Sequence, residues 1–312
     1  MAFSRRWLMV GAAGGVLPSH AIDYDKPVPG SEKLTAYQYG GMILIRWNNA
    51  VLCGYRGDPT QKYPYFHVVA GALSGLPMTT ESALPYPHHR GLWLGMEPLN
   101  GGDYWGDSEL SRGQIRSTGI RLVESAPTRV RFVNRCEWVR QGAASPLEEE
   151  RTFTITMHEP GRLWTLDAAI RLSACEDLEV RSAKHSLFAL RVAAELAPIY
   201  GGVMANNLGG VNAEGVHGKP AAWAGYSGRR AAAGGAVEGI AIFDHPQNPW
   251  NPCPWMARDY GHLSPSPFGF LERPWRLEKG NSLWLRYRVA VHAGDARAAG
   301  LNGLYKAWIS AS

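Results

Sequence analysis

Histidines and arginines are the side chains of this sequence best suited to chemistry on a polar substrate. Ten histidines occur, and three stand out: the adjacent pair His88 and His89, followed by Arg90, and His185 in a strand-like segment. An imidazole takes up or releases a proton near neutral pH, which makes it a common general acid or base. On an extended backbone neighbouring side chains point to opposite faces, so only one of His88 and His89 should face a given pocket. We therefore predict His185 and one of this pair as proton-transfer groups.

Two loops are richer in chemistry than a connection requires. Residues 85–108 and 244–269 combine glycine, proline, aromatic residues, histidines and charges, and long loops in compact domains are often functional. These loops and the strands beside them supply the candidates for substrate binding. The candidates are Arg90, Asp103, Trp105, Lys184, Arg191, Tyr226, His245, Asn248, Arg258, Tyr260 and His292.

Arginines and acidic residues among the candidates indicate two kinds of reaction. Arg90, Arg191 and Arg258 suit bidentate binding of a carboxylate, for example that of a uronic acid, with ion pairing to surface Asp or Glu as the alternative. Neutralising such a carboxylate would assist a lyase. A hydrolase usually needs two carboxylates, and no spacing singles out a pair. The acidic residues available are Asp103, Asp244, Asp259 and Glu272.

The sequence lacks the common motifs that bind metals or phosphate groups and the serine-hydrolase motif. There is no His-x-His, no His-Glu-x-x-His, no Gly-x-Ser-x-Gly and no glycine-rich phosphate loop between a strand and a helix. We predict no cofactor and no metal ligands, although a divalent metal held by distant strands stays open. The cysteines are far apart and favour buried free thiols, with one disulfide as the alternative. They are Cys53, Cys136, Cys175 and Cys253.

The pattern of apolar residues predicts an all-β protein. Residues 129–138, 152–157 and 164–172 alternate apolar and polar side chains, as half-buried antiparallel strands do. Strands of this length between turn signals predict a large β-sandwich. From about Asp295, which could cap it, to Trp308 the spacing predicts one helix that braces the sandwich.

The first 21 residues predict a targeting segment. The run SRRWLM over residues 4–9 resembles the twin-arginine export signature, and a weakly apolar stretch and the small residues of SHA (19–21) follow. A short amphipathic start to the domain is the alternative. We expect a periplasmic or secreted protein with a single domain over residues 22–312 and the twin-arginine translocase as its partner during export.

Charge and hydropathy exclude two classes of partner. The formal net charge of +5 is small, and the basic residues alternate with apolar ones instead of forming runs, so we expect no nucleic-acid binding. No stretch after the targeting segment has the length needed to span a bilayer.

Eight segments, in order, resemble a bacterial family labelled PmoA-like. They are YPYFHVVAG, PHHRGLWLG, DYWG, KHSLFALRVA, GIAIFDHPQNP, ARDYG, SPFG and LRYRVAVH, and the resemblance spans nearly all of the chain after residue 21. The label implies a methane oxygenase subunit and therefore a metal-dependent oxidoreductase.

A second resemblance is to aldose 1-epimerases. The segment KHSLFAL (184–190) is similar to the Asn-His-Ser-Tyr-Phe-Asn-Leu strand of those enzymes, with Lys184 and Leu187 in place of Asn and Tyr. The resemblance implies that His185 is a general acid.

The order of the other epimerase parts also agrees. Those enzymes carry an earlier histidine before glycines, where HHRG (88–91) stands here, and a glutamate base before a stretch similar to residues 275–283, where Glu272 stands. The resemblance implies a galactose mutarotase-like supersandwich with its site on the concave face of one sheet.

These observations favour an exported carbohydrate-active enzyme, either a lyase or a hydrolase of oligosaccharides or uronic-acid-containing glycans. Histidines would supply general acid and base catalysis, with Tyr226 and Tyr260 as further hydrogen-bond donors. A non-catalytic glycan-binding protein and a metal-dependent oxidoreductase are the alternatives.

Overall fold

The computed structural model describes residues 32–311. The predicted signal peptide (1–21) therefore lies outside the described residues, and the predicted single domain over 22–312 stays a prediction.

Most of the described chain forms β-strands. In chain order the strands are β1 (Leu34–Tyr39), β2 (Met42–Trp47), β3 (Ala50–Arg56), β4 (Tyr65–Val69), β5 (Leu92–Glu97), β6 (Gln114–Ala126), β7 (Arg129–Val139), β8 (Leu147–Glu159), β9 (Leu163–Ala174), β10 (Leu178–Val180), β11 (His185–Arg191), β12 (Val203–Asn206), β13 (Trp223–Arg230), β14 (Ala236–Asp244), β15 (Trp255–Arg258), β16 (His262–Pro265), β17 (Trp275–Leu277) and β18 (Ser282–Ala293). The α-helices are α1 (Asn212–Val216) and α2 (Leu301–Ser310). Single 3-10 turns cover Leu110–Arg112, Ala194–Leu196, Pro198–Tyr200, Ala231–Ala233 and Pro267–Gly269.

Two eight-stranded antiparallel sheets pack face to face. The front sheet has the order β1-β2-β3-β4-β5-β11-β16-β15, and the back sheet has the order β12-β13-β14-β18-β9-β8-β7-β6. Strands β10 and β17 form a separate ribbon. The predicted all-β class and antiparallel sandwich are confirmed.

Aromatic side chains fill the space between the sheets. Tyr55 and Phe66 of the front sheet meet Phe132 and Phe153 of the back sheet, with ring centroids 4.8 to 6.1 Å apart. The buried positions of β7, β8 and β9 are the apolar members of the predicted alternating patterns. Offset and edge-on ring pairs add to the hydrophobic burial that holds the sheets together.

One buried ion pair connects the back sheet to a loop of the front sheet. Arg151 and Glu149 are both buried, with Arg151 Nε 2.6 Å from Glu149 Oε1. Arg151 also donates to the carbonyl of Pro64 (3.2 Å) at the start of β4, and Trp138 Nε1 donates to Glu149 (2.9 Å). The pair therefore fixes the loop just before β4 as well as satisfying its own charges.

At one edge of the sandwich, a glutamine side chain connects the two sheets by hydrogen bonds. Gln38 of β1 donates to the carbonyl of Ile120 on β6 (2.9 Å) and accepts the N–H of Leu122 (3.2 Å). The side-chain amide connects two edge strands that belong to different sheets. It satisfies backbone groups of β6 that no neighbouring strand pairs with.

The terminal helix is shorter than predicted. Asp295 accepts the N–H groups of Arg297 and Ala298 and so caps a turn, not the helix. Gly300 then takes a left-handed conformation (φ 64°) and α2 starts at Leu301. Leu301 and Trp308 pack against the outer face of the back sheet, which confirms the predicted brace.

The two segments that the sequence predicts as loops both contain strands. Residues 85–108 include β5, and residues 244–269 include β15 and β16. These strands are only four to six residues long and stand among glycines and prolines, so their surroundings are typical of a loop. All four cysteines are free thiols, as expected. Within residues 32–311, no helix is both long and apolar enough to cross a membrane.

Candidate active site

The candidate site lies on the face of the front sheet that points away from the back sheet, which we call the open face. Phe188 of β11 stacks on Tyr287 of the back sheet, with ring centroids 5.0 Å apart, so alternate residues of β11 face the other way. Register pairs His185 with Glu97 on β5 and Arg191 with His262 on β16. These four side chains therefore share the open face.

Loops add more rings above this face, and four histidines come together. His89 stacks on His262 (ring centroids 4.6 Å apart) and meets His88 edge-on at 4.5 Å, while Trp105 stacks parallel to His185 at 5.9 Å. We call His88, His89, His185 and His262 the histidine cluster.

The expectation that only one of His88 and His89 would face the site is wrong. Both rings belong to the cluster because the backbone there is not extended. The N–H of His89 donates to the carbonyl of Tyr86 (3.0 Å), which closes a turn. A turn brings adjacent side chains to the same side, whereas a strand separates them.

His185 is paired with a carboxylate. Its Nδ1 lies 3.4 Å from Glu97 Oε2, and the two side chains are 28% and 40% exposed. Burial lowers the pKa of His185, and the Glu97 carboxylate opposes that shift. No described contact uses Nε2 of His185, so this nitrogen is available to a substrate. Glu97 was not predicted as a site residue, although it shares the open face with Trp93 at an even spacing along β5.

His89 is a buried neutral imidazole. Arg191 Nη1 lies 3.1 Å from His89 Nδ1, and because a guanidinium only donates, Nδ1 accepts and carries no proton. Burial lowers the pKa of His89 to about 2, with further lowering from His88, Arg191 and His185. Its role is to hold Arg191, not to exchange protons near neutral pH.

His88 forms a second histidine–carboxylate pair. Its Nδ1 lies 2.8 Å from Asp107 Oδ2, and its backbone carbonyl accepts a hydrogen bond from the Tyr63 hydroxyl. The ring is partly exposed, so of the predicted pair His88 is the one placed to exchange a proton with a substrate.

His262 is the buried member of the cluster. It has no exposed surface, and neither ring nitrogen has a hydrogen-bond partner within the described residues. Burial lowers its pKa well below the ordinary value, with further lowering from His89, His185, Arg191 and Arg258. The sequence analysis did not select it, because only strand register places it between Arg191 and Arg258.

The three arginine candidates share one property. Across residues 32–311 none of them forms an ion pair with a carboxylate, so the alternative of surface ion pairing is wrong for all three. Arg90 donates to the Gln61 amide oxygen (2.6 Å). Arg191 contacts His89, and Arg258 Nη1 lies 3.1 Å from Nδ1 of His217.

Comparison with known proteins assigns the sequence to a family. A family model, "Family of unknown function (DUF6807)", matches residues 30–306. The chain belongs to this family. No curated protein sequence matches the chain. The resemblance to the PmoA-like family receives no support, since the matching model does not carry that description.

Solved structures with a similar arrangement of strands include three carbohydrate-related proteins. An alpha-galactosidase from Lactobacillus brevis has 9% identity and a TM-score of 0.36, covering 87% of this chain and 40% of its own length. A galactose mutarotase-like protein from Lactobacillus casei ATCC 334 has 9% identity and a TM-score of 0.31, covering 83% and 100%. A galactose mutarotase related enzyme from Lactobacillus acidophilus has 5% identity and a TM-score of 0.31, covering 83% and 97%. These likenesses concern the strands and carry no residue's role over to this chain.

Asp103 holds in place the loop that carries Trp105, and Trp105 stacks on His185. The Asp103 carboxylate accepts the N–H groups of Trp105 (2.9 Å) and Gly106 (2.6 Å) and the Ser108 hydroxyl, with Lys62 Nζ 3.7 Å away. Burial raises the pKa of Asp103, but these hydrogen bonds outweigh it and the net shift is downward. Because its oxygens are occupied, Asp103 holds the loop that stacks Trp105 on His185 and is not placed to bind substrate.

Tyr226 belongs to the core and not to the substrate surface. It comes from β13 of the back sheet, is buried, and donates to the carbonyls of Arg258 (2.9 Å) and His262 (2.8 Å). The prediction that its hydroxyl would bind substrate is wrong, since both contacts tie the two sheets together. Tyr260, by contrast, covers Arg191, with the guanidinium carbon 4.6 Å from the ring centroid.

Three predicted binding residues lie away from the histidine cluster, His292 on β18 of the back sheet and His245 and Asn248 in the loop that follows β14. His245 packs edge-on against Trp308 of α2, with ring centroids 4.9 Å apart, and Asn248 donates to Asp244 (2.7 Å). His292 is buried over Gly239, its partner on β14. Their polar sequence surroundings indicated a site, but each side chain is enclosed by the fold, and these assignments are wrong.

Glu272 and Lys184 are both exposed. Lys184 precedes β11, and its charge lowers the pKa of His185. Glu272 lies in the loop before β17, and no described contact joins it to His185 or His89, so the structure does not bring it into the cluster. Within the described residues, no group of three or more His, Cys, Asp or Glu side chains is arranged to hold a metal ion.

Proposed function

We propose that this protein is an exported carbohydrate-active enzyme that transfers protons through histidines on its open face. The observation that carries the proposal is the pairing of His185 with Glu97 at 3.4 Å, half exposed and flanked by Trp105. A carboxylate on one imidazole nitrogen sets the orientation of the ring and leaves the other nitrogen for the substrate.

His185 acts as the main proton-transfer group. Its lowered pKa keeps the ring neutral at pH 7, so Nε2 can accept a proton, and Glu97 stabilises the imidazolium that results. His88, whose Nδ1 contacts Asp107, is the second group. It donates the proton that the leaving oxygen takes up.

Aromatic side chains fit a sugar as the bound molecule. Tyr86 is exposed at the rim and lies 5.1 Å from Tyr260, ring centroid to ring centroid. Such flat faces stack on the C–H groups of sugar rings and leave the hydroxyls to polar neighbours.

The open face favours a lyase over a hydrolase. A hydrolase needs two carboxyl groups free to serve as acid and as base or nucleophile. Near the histidine cluster the carboxylates are already bonded to protein groups: Glu81 to Tyr65, Glu97 to His185, Asp103 to its own loop and Asp107 to His88.

In a lyase reaction, the base removes the proton on the carbon next to a uronate carboxylate. The glycosidic C–O bond to the neighbouring carbon then breaks, a carbon–carbon double bond forms, and the leaving oxygen takes a proton. Hydrolysis instead adds water across the glycosidic linkage and breaks the C–O bond at the anomeric carbon.

Incubation of the purified protein with neutral and uronic-acid oligosaccharides tests the proposal. We expect products that absorb near the wavelength of an unsaturated uronate and have the mass expected for cleavage without water. Products heavier by one water would establish a hydrolase. Saturable binding without any product would contradict the enzyme and leave a glycan-binding protein.

Export is proposed from residues 1–21 alone. In a bacterial host with a twin-arginine system, the full chain should reach the periplasm in processed form, and the double variant Arg5→Lys, Arg6→Lys should stay inside the cell. Equal export of both proteins would contradict the twin-arginine route.

A further inference from the structure

We infer that Arg191, His262 and Arg258 form a subsite for an acidic substituent of the sugar substrate, either a carboxylate or a sulfate ester. This inference rests on the proposed function, because it names the class of substrate that the same site would take.

The three residues form a row across neighbouring strands. Register places Arg191 of β11 opposite His262 of β16, and His262 opposite Arg258 of β15. Strands in a sheet lie about 4.8 Å apart, so the Cα atoms of the two arginines are about 10 Å apart with the imidazole between them. Paired residues of antiparallel strands have side chains on the same face, which here is the open face.

The two guanidiniums are not neutralised by the protein. Arg191 is only 5% exposed, and its partners are the neutral ring of His89 and the face of Tyr260. Arg258 contacts His217 and the carbonyl of Ala257. A buried charge is ordinarily paired with an opposite charge, so Arg191 is a cation whose anion comes from outside the described chain.

Two acidic side chains that lie close to the row in the sequence have partners elsewhere. Asp259 lies beside Arg258 in sequence, but its Oδ1 accepts the N–H of Ala213 (2.8 Å) at the start of α1. Glu195, on the turn that follows β11, pairs with Arg230. Neither carboxylate forms an ion pair with the arginines of the row.

Donors in the row are also left without protein acceptors. Nε of Arg191 and both ring nitrogens of His262 are buried and have no partner within the described residues. A neutral imidazole carries one N–H, so an anionic oxygen between the strands could accept from Arg191 and from His262 together. Leaving such buried groups unpaired is costly, and an acidic ligand would satisfy them.

Tyr260 fits the same assignment. Its ring covers one face of the Arg191 guanidinium and meets Tyr86 at 5.1 Å. A sugar ring on these aromatic faces would therefore have its acidic substituent above the row, on the same open face as His185.

Binding measured by calorimetry tests the inference separately from turnover. The catalytically silenced His185→Ala protein is titrated with digalacturonate, with galactobiose as its neutral counterpart, and with a sulfated galactobiose. The same titrations are made with Arg191→Met, Arg258→Met and the control Arg171→Met, whose side chain is exposed on the back sheet. Circular dichroism checks that each variant is folded.

We expect at least one acidic ligand to bind roughly tenfold tighter than galactobiose, since hydrogen bonds to a charged group are stronger than those between neutral groups. Comparing digalacturonate with the sulfated ligand identifies the acidic group. Arg191→Met and Arg258→Met should each remove most of this preference, and Arg171→Met should keep it. If Arg191→Met does not fold, the partly exposed Arg258 decides the question.

Two results would overturn the inference. Equal affinity for acidic and neutral sugars would refute it while leaving the proposed carbohydrate enzyme intact, and so would an acid preference that survives both arginine substitutions. Absence of binding to every sugar would remove the proposed function together with the inference.

Discussion

The Nδ1 atom of His185 lies 3.4 Å from a carboxylate oxygen of Glu97, and the two residues are direct partners across β11 and β5. This pairing gives the open face an imidazole that is oriented, partly exposed and neutral near pH 7. The buried His89, by contrast, is enclosed by neighbouring rings and holds Arg191 in place.

Removing the Glu97 charge should change the pH dependence of the reaction. Glu97 stabilises the imidazolium and so raises the pKa of His185, against the lowering by burial. In Glu97→Gln that support is lost, the pKa falls further, and the acidic limb of the kcat/KM profile should move to lower pH. The rate on the plateau should fall roughly 10- to 100-fold because the ring is less well oriented. An unchanged acidic limb would show that His185 is not the titrating base.

Acid should destabilise the folded protein through its buried neutral histidines. The folded-state pKa of His89 is about 2, whereas an unfolded histidine titrates near about 6.5. Below pH 6.5 the unfolded chain therefore binds more protons, and the free energy of unfolding falls by up to about 1.4 kcal/mol per pH unit for this residue.

Urea denaturation between pH 7.5 and 5 measures this slope. His89→Gln, whose amide oxygen can still accept from Arg191, should show a slope reduced by about one proton. The same pH dependence in both proteins would mean that His89 is protonated in the folded state.

Tyr226 should matter for stability and not for catalysis. Tyr226→Phe removes one hydroxyl that serves two buried carbonyls, which should cost about 1 to 2 kcal/mol in the free energy of unfolding. KM should stay unchanged. Tyr39→Phe is a matched control because Tyr39 is 83% exposed. A raised KM in Tyr226→Phe with unchanged stability would restore Tyr226 as a substrate contact.

The buried pair of Arg151 and Glu149 should be among the costliest places to substitute. Arg151→Met leaves the Glu149 carboxylate buried without its cation and should lower the free energy of unfolding by about 3 to 5 kcal/mol. Arg135→Met removes an exposed pair with Glu150 and should cost less than about 1 kcal/mol. Thermal or urea denaturation compares the two, and equal losses would contradict the role assigned to burial.

The sequence was enough to predict the strands, because alternation of apolar and polar side chains is local, whereas the catalytic role of His185 stays a prediction. Alternation over β7, β8 and β9 depends only on which side chains face the core, and His185 stands at the start of a strand in which Phe188 and Leu190 face the back sheet. Glu97 was missed because it lies 88 residues from His185, and only strand register brings the two together.

Other errors had the same origin in tertiary packing. His262 lies in a four-residue strand inside a segment rich in proline and glycine, which the pattern does not separate from a loop. The sequence around His245, His292 and Tyr226 is typical of a site. In the fold, however, residues of distant strands and of α2 cover these side chains. Burial by a distant element leaves no periodic signal in the sequence.

Turnover by His185→Ala on the glycan that the wild-type protein cleaves tests the central claim most directly. His158→Ala is the control, since His158 lies on β8 and contacts Thr165 of the back sheet. We predict that His185→Ala keeps its circular dichroism spectrum and its unfolding temperature within a few degrees, while kcat falls roughly 100-fold or more. His158→Ala should retain its rate. Full turnover by a folded His185→Ala protein would contradict the account and leave His185 as a structural histidine.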